Sequence, residues 1–216
     1  MVAQQMTATN MPLTDYQLRF CPASYMHDSH VPRPLLGWLK RLPGWRQQPP
    51  INAWLLGELI LPTHYDMPQG LAKIAFFERP ELERIMTLVG AILHGGAIRQ
   101  LMDGKSLQPV HAAIGEAGHR FCLEQLDYII GPWPAGWQQR LPTHELSEYF
   151  LHYGLVFWLF AMGDADEAFS RRLALRIPKR SCVEPLPFNP LDAGLARALC
   201  LKITRKVSPA CVHLLK

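Results

Sequence analysis

Three short stretches hold residue types that could do chemistry. Gly104-Lys105-Ser106 has the ending of a phosphate-binding loop, where glycine-rich backbone wraps phosphates and the lysine reaches them. That loop needs a glycine five positions before Gly104, and position 99 is Arg. The residues before it read as helix rather than strand, so Gly104 reads as a helix-ending glycine. His27-Asp28-Ser29-His30 is the one close histidine pair, with Cys21 six residues before His27. A structural zinc site uses four thiolate or imidazole ligands, commonly as two tight pairs. No second pair stands nearby, so these read as polar turn residues. His144 and His152 can share a helix face, and Glu145 and Glu148 lie one turn apart. Carboxylates at a helix start serve the helix dipole. Neither G-x-S-x-G, nor H-E-x-x-H, nor a glycine-rich dinucleotide turn occurs. Nothing supplies a nucleophile with a positioned base. No catalytic residue, cofactor or metal ligand is assigned.

The charge pattern points to binding instead. Residues 1–167 hold 12 Lys and Arg against 16 Asp and Glu, a net of −4. Residues 168–216 hold 10 against 2, a net of +8. A split of this size suggests that one end meets something acidic. Arg172 and Arg176 are one turn apart, with Arg171 beside them and Lys179 and Arg180 just beyond. Phe169, Leu173 and Ile177 hold the opposite, apolar spacing, so this helix can dock one face and offer a basic stripe. Arg197, Lys202, Arg205 and Lys206 cover a similar arc on a later helix. Cations near a helix C-terminus are also favoured by the dipole alone. An acidic protein partner fits best, then an anionic membrane surface, then nucleic acid. The alternative is a basic nucleic-acid-binding regulator using the C-terminal third, for which no recognisable module or stacking platform is present.

A second candidate surface is IIGPWPAGWQQRLP, residues 129–142. Its prolines forbid helix after Ile130, and Pro142-Thr143 resets the chain. Trp133 and Trp137 read either as packing over a corner, indole N–H groups reaching its carbonyls, or as a partner-facing pair.

The elements that must position these residues are helical. The 216-residue chain is long enough for a real core, and 49% of it is hydrophobic. No basic segment followed by an apolar run opens it, so no export leader is expected. Five cysteines without a Cys-x-x-Cys read as reduced cytosolic thiols. The most apolar window, Tyr149 to Met162, spans roughly 21 Å as helix against a hydrocarbon layer of about 30 Å, so it is a buried helix rather than a membrane span. Residues 1–14 read as a loose N-terminus and 15–216 as one mainly α, compact multi-helix domain. Pro22 opens a helical turn, and a helix over 35–42 stops at Pro43. Asn52 is an N-cap for a helix ending before Pro62. Pro80 opens a helix whose residues Leu82, Ile85, Met86, Val89, Ile92 and Leu93 share one face. Thr143 is an N-cap for the central helix over 144–162. Asp164 with Glu167 forms a capping box for a helix to Ile177. Asn189-Pro190 starts the last long helix, to Val207. Lys73–Phe77 and Arg176–Pro185 could hold short strands, a minor β element at most.

Several phrases, taken in order, resemble the SctK family of type III secretion systems, in its YscK/PscK type. They are YQLRFCPASYMH, LPGWRQ, INAWLLGELIL, YDMPQGL, LHGGAIRQ, IIGPWPAGWQQRLPT, GLVFWLFAM, RLALRIP and SPACVHLLK. They span nearly the whole chain after its first dozen residues. The resemblance implies a predominantly helical, non-catalytic accessory protein of the cytosolic sorting platform, at the inner face of the bacterial inner membrane. Members link the cytoplasmic domain of the ring protein SctD to the SctQ pods, which carry SctL and the ATPase SctN. It carries over no binding residue. The partner surface is therefore assigned from the residues themselves: Arg171, Arg172, Arg176, Lys179, Arg180, Trp133 and Trp137.

Overall fold

The computed structural model describes residues 13–66, 69–143, 145–163, 166–180 and 188–215. Its N-terminal layer is built from short helices. In α1 (Asp15–Phe20), Thr14 caps reciprocally with Gln17: Gln17 N donates to Thr14 Oγ1 at 3.2 Å and Thr14 N to Gln17 Oε1 at 2.9 Å. Thr14 is therefore ordered, and residues 1–12 of the expected loose segment lie outside the described residues. Then come α2 (Pro22–Tyr25), α3 (Arg33–Leu39) and α4 (Pro49–Glu58), each with proline in its first turn. Asn52 is no N-cap. Prolines 49 and 50 start the helix earlier, and buried Asn52 instead accepts from Ala23 N at 2.9 Å and donates to Arg46 and Gln48 carbonyls. The end of α4 is a Schellman turn, with Leu61 N donating to Leu56 O and Ile60 N to Gly57 O. Its left-handed position is Ile60, at φ 48°, where a β-branched residue is strained.

The core is α5 (Arg79–Ile92) crossed by α8 (Leu146–Met162). The apolar face expected on α5 is buried throughout. The two helices touch backbone to backbone. A Cβ on Gly90 would lie 2.0 Å from Phe150 O, and one on Gly154 would lie 1.8 Å from Met86 O. Glycine at both positions permits this approach, and α8, apolar nearly all round, is packed on every side. Its N-cap is Glu145, in a left-handed conformation, and not Thr143. A short α6 (Gly95–Arg99) leads to α7 (Gly104–Gln125), broken at Gly115, where φ 68° and ψ 170° redirect its second half. Asp103 caps α7 through Ser106 N at 2.9 Å, so Gly104-Lys105-Ser106 is an ordinary helix start. Next come α9 (Glu167–Leu175), capped by Asp166 through Ala168 N at 2.7 Å, and α10 (Ala193–Val207) against α8 and α5. The box expected on Asp164 falls on a residue outside the described ones.

No strand occurs among the described residues. Lys73–Phe76 belong to the 3-10 helix Gly70–Phe76, which buries Leu71, Ala72, Ile74 and Ala75 and has no strand beside it to pair with. Arg176–Arg180 is irregular, and positions 181–185 of that expected strand lie outside the described residues. The buried cluster runs unbroken from Leu18 to Leu215. Cys21, Cys122, Cys200 and Cys211 are free thiols.

The tryptophan corner closes α5. A helix leaves its last carbonyls unpaired, and residues of the corner meet them: Gln138 Nε2 donates to Ile92 O at 3.1 Å and Gln139 N to Leu93 O at 2.8 Å. Beside them His94 is fully enclosed. Its Nδ1 lies 2.8 Å from Arg140 O, so that nitrogen carries the proton, and Nε2 has no hydrogen-bond partner among the described residues. Burial pulls its pKa down to about 4. The unfolded chain therefore takes up this proton first as pH falls below about 6.5, and the native state loses stability on the way down. At pH 5 the loss from His94 is about 2 kcal/mol. Burial also lowers the pKa of His27 and His30, in the same direction. Urea unfolding at pH 7.5 and pH 5 should show this loss, and His94→Gln should flatten it. A second prediction concerns the helix crossing: Gly154→Ala should cost roughly 3 kcal/mol or more, since backbone rather than a side-chain tip must move, read as a fall in Tm.

Candidate functional site

The five cationic residues assigned to a partner surface do not form a stripe. Arg172 is 0% exposed. Its guanidinium sits in a cage of carbonyls, donating to Leu18 O at 3.0 Å, Ala168 O at 3.1 Å, Arg19 O at 3.2 Å and Pro62 O at 2.7 Å. The Tyr65 ring covers it at 4.6 Å. Arg176 is buried one turn on, donating to Ala75 O at 2.6 Å and Phe77 O at 2.7 Å. Desolvation, then the nearby Arg79, pull its pKa down to about 10, so it stays charged at neutral pH. Arg171 is exposed, but its guanidinium caps α4, donating to Leu59 O at 2.8 Å and Ile60 O at 3.3 Å. Arg180 lies over the Tyr149 ring at 5.1 Å. Of the five, Lys179 alone is an exposed cation whose side chain makes no hydrogen bond or ion pair among the described residues.

The expected geometry fails for a physical reason. Carbonyls of α1, of the loop after α4 and of the end of the 3-10 segment face this helix, and Arg172 and Arg176 bury their stems and satisfy those carbonyls with their heads. The tryptophans divide similarly. Trp137 is fully buried, with Phe157 edge-on at 4.9 Å and Phe188 at 5.8 Å. Its Nε1 has no hydrogen-bond partner among the described residues, unlike the corner reading that gave both indoles a carbonyl. Trp133 is half-buried and does donate, to Leu126 O at 2.7 Å. Arg172, Arg176 and Trp137 are enclosed and present no surface in this conformation, while Arg171 and Lys179 stay exposed.

His27, His30 and His152 are held by local hydrogen bonds. His30 Nε2 lies 2.9 Å from Ile177 O, and His27 Nδ1 accepts from Ser29 N at 3.1 Å. Asp28 pairs with Arg46 and with Lys40 at 2.8 Å. Buried His152 places its ring nitrogens 2.7 and 2.6 Å from Glu148 O and Pro178 O. His144 lies outside the described residues. Among the described residues no three His, Cys, Asp or Glu side chains are grouped to hold a metal.

Exposed basic charge collects elsewhere. Along α10, Lys202, Arg205 and Lys206 face the second half of α7 across a groove of about 610 Å³. A second hollow of about 470 Å³ continues from it toward α5, sharing Ala117, Phe121 and Lys206. The floor is apolar: Ile114, Ala117 and Phe121 from α7, Leu88 from α5 and Val207 from α10. Arg84 and Arg120 stand on the facing rim with Glu83 and Glu124. Arg84, Arg120, Arg205 and Lys206 form no ion pair among the described residues, and Lys202 Nζ donates to Ile129 O at 2.5 Å. The sequence puts Arg197, Lys202, Arg205 and Lys206 on one arc of a helix. It does not place the α7 wall, because the direction of the chain after Gly115 is set by that residue's dihedral angles and not by periodicity.

The chain matches the family described as YOP proteins translocation protein K (YscK) over residues 12–216. It belongs to the YscK family. Two relatives carry the name Yop proteins translocation protein K, from Yersinia pseudotuberculosis serotype I (strain IP32953) and Yersinia enterocolitica. Each is 38% identical over 204 residues, covering 94% of this chain and 98% of the relative. Among solved structures, the cytoplasmic domain of the sorting platform protein PscK from P. aeruginosa is similar, with 48% identity and a TM-score of 0.76, over 94% of this chain and 99% of that one. The helical fold expected from the YscK/PscK resemblance is therefore the fold of this chain.

The buried arginine and the groove separate cleanly in a stability measurement. Arg172→Met strands several buried carbonyls and should cost roughly 3 kcal/mol or more, lowering the urea midpoint. Arg205→Met on the exposed face should stay within about 0.5 kcal/mol.

Proposed function

We propose that this YscK-family chain is a non-enzymatic adaptor of the type III secretion sorting platform. It joins the cytoplasmic part of the inner-membrane ring protein SctD to the SctQ pods, and through them to SctL and the ATPase SctN. The observation that carries this reading is the match to a sorting platform protein along 94% of the chain, with almost all of that relative covered. The placement of charge supports it. Cations inside the body hold helices together, while those along α10 remain on the surface beside an apolar groove. A connector needs a rigid body with chemically distinct faces. Among the described residues no helix is long and apolar enough to cross a membrane, which suits a protein that reaches the membrane through the ring protein.

The test is a three-way pull-down. Immobilised chain should retain the SctD cytoplasmic domain and SctQ together, and cells lacking the chain should lose SctQ from the ring and lose export. Retention of neither protein, or normal export without the chain, would overturn the reading.

A further inference from the structure

We propose that the groove between α5, α7 and α10 is a docking site for an acidic amphipathic helix of a partner protein. This rests on the adaptor reading only in taking the occupant to be a protein. Shape is the first argument. The second half of α7 lines the groove from Ala117 to Gln125, roughly 12 Å at helical rise, and α5 lines it from Pro80 to Leu88. Both walls use positions three and four apart, so the groove runs along helix axes, and the small exposed Ala117 leaves room for inserted side chains. Among the described residues no strand edge borders it for an added strand to pair with.

Charge is the second argument, and it sets the occupant's pattern. The α10 rim is cationic along its length, with Lys202, Arg205 and Lys206. The opposite rim is mixed, Arg84 and Arg120 alternating with Glu83 and Glu124. A polyanion carries charge on every side and would meet both carboxylates. A helix with an apolar stripe and one acidic flank places Asp and Glu against α10 alone, and its stripe covers Phe121 and Ala117. Tyr128, 79% exposed at the groove's end, is a single ring and makes no stacking platform for bases. Residues 1–12 of the chain carry no acidic side chain and lack the complementary charge.

The test uses fluorescein-labelled helical peptides of about 18 residues, five turns, sharing one leucine stripe and differing in flanks: Glu, Gln or Lys. With the full chain, fluorescence anisotropy should show saturable binding of the Glu-flanked peptide, about tenfold or more tighter than the Lys-flanked one and weakening with salt. The double variant Arg205→Glu, Lys206→Glu should weaken it about tenfold, and Ala117→Trp should block it, with circular dichroism confirming the fold of each. Arg205 and Lys206 are exposed, so the test stands even where Ala117→Trp disturbs packing. Equal affinity for all three flanks, or unchanged binding to the charge variant, overturns the proposal. So does tighter binding of phosphatidylglycerol vesicles or a DNA duplex through the same residues. So does a dimer, seen in sedimentation, that the charge variant dissolves. A failed peptide with an intact three-way pull-down removes the groove and leaves the adaptor. A failed pull-down with a bound peptide does the reverse.

Discussion

A helix leaves its final four carbonyls without partners inside it, and α1 has only 6 residues, so most of its acceptors face that problem. Arg172 answers it from the far end of the chain, meeting Leu18 O and Arg19 O at once. The same guanidinium takes Pro62 O, the loop after α4, so one side chain ties α1, α4 and α9. Arg176 repeats the pattern for Ala75 and Phe77, and Arg79 for Tyr25 O at 2.6 Å. These cations are held by carbonyl dipoles and aromatic rings, with no carboxylate ion-paired to Arg172 or Arg176 among the described residues. A planar fork with five donors can do this, and an ammonium cannot.

Around that tie, the rest of the body is arranged by close backbone approach. Gly90 and Gly154 bring α5 and α8 within contact. The Pro-Trp corner seals the open end of α5 with Gln138 and Gln139. The corner is thus a cap made of sequence-distant residues, and Trp137 is the wedge that keeps it against Phe157 of α8. Arg205 and Lys206, on the outer arc of α10, are exposed and form no ion pair among the described residues.

How much of this the residues announce depends on whether the cause is local. Helix periodicity is local, so α5 and α8 are legible, and the proline starts of α2 and α5 with them. Caps are less so: Asn52 has the right chemistry for an N-cap, but the two prolines before it start the helix first. KIAFF has the composition of a strand, yet a strand needs a neighbour, and none is supplied. The basic end misleads for a deeper reason. Spacing tells which face of a helix carries Arg172 and Arg176; it does not tell that unpaired carbonyls from residues 18, 19, 62, 75 and 77 will be waiting on that face. The groove fails to appear because its α7 wall is aimed by one glycine's dihedral angles.

The arginine tie also orders events in time. Arg172 follows Leu18 by 154 residues. At a synthesis rate of about 5–20 residues per second, the α1 carbonyls wait roughly 8 to 30 s for their donor. Gly154 likewise reaches Gly90 only after the whole α6–α7 segment has been made. The nascent chain therefore carries α1 with these carbonyls unmet until α9 has been made, and α5 without its crossing partner until α8 has been made.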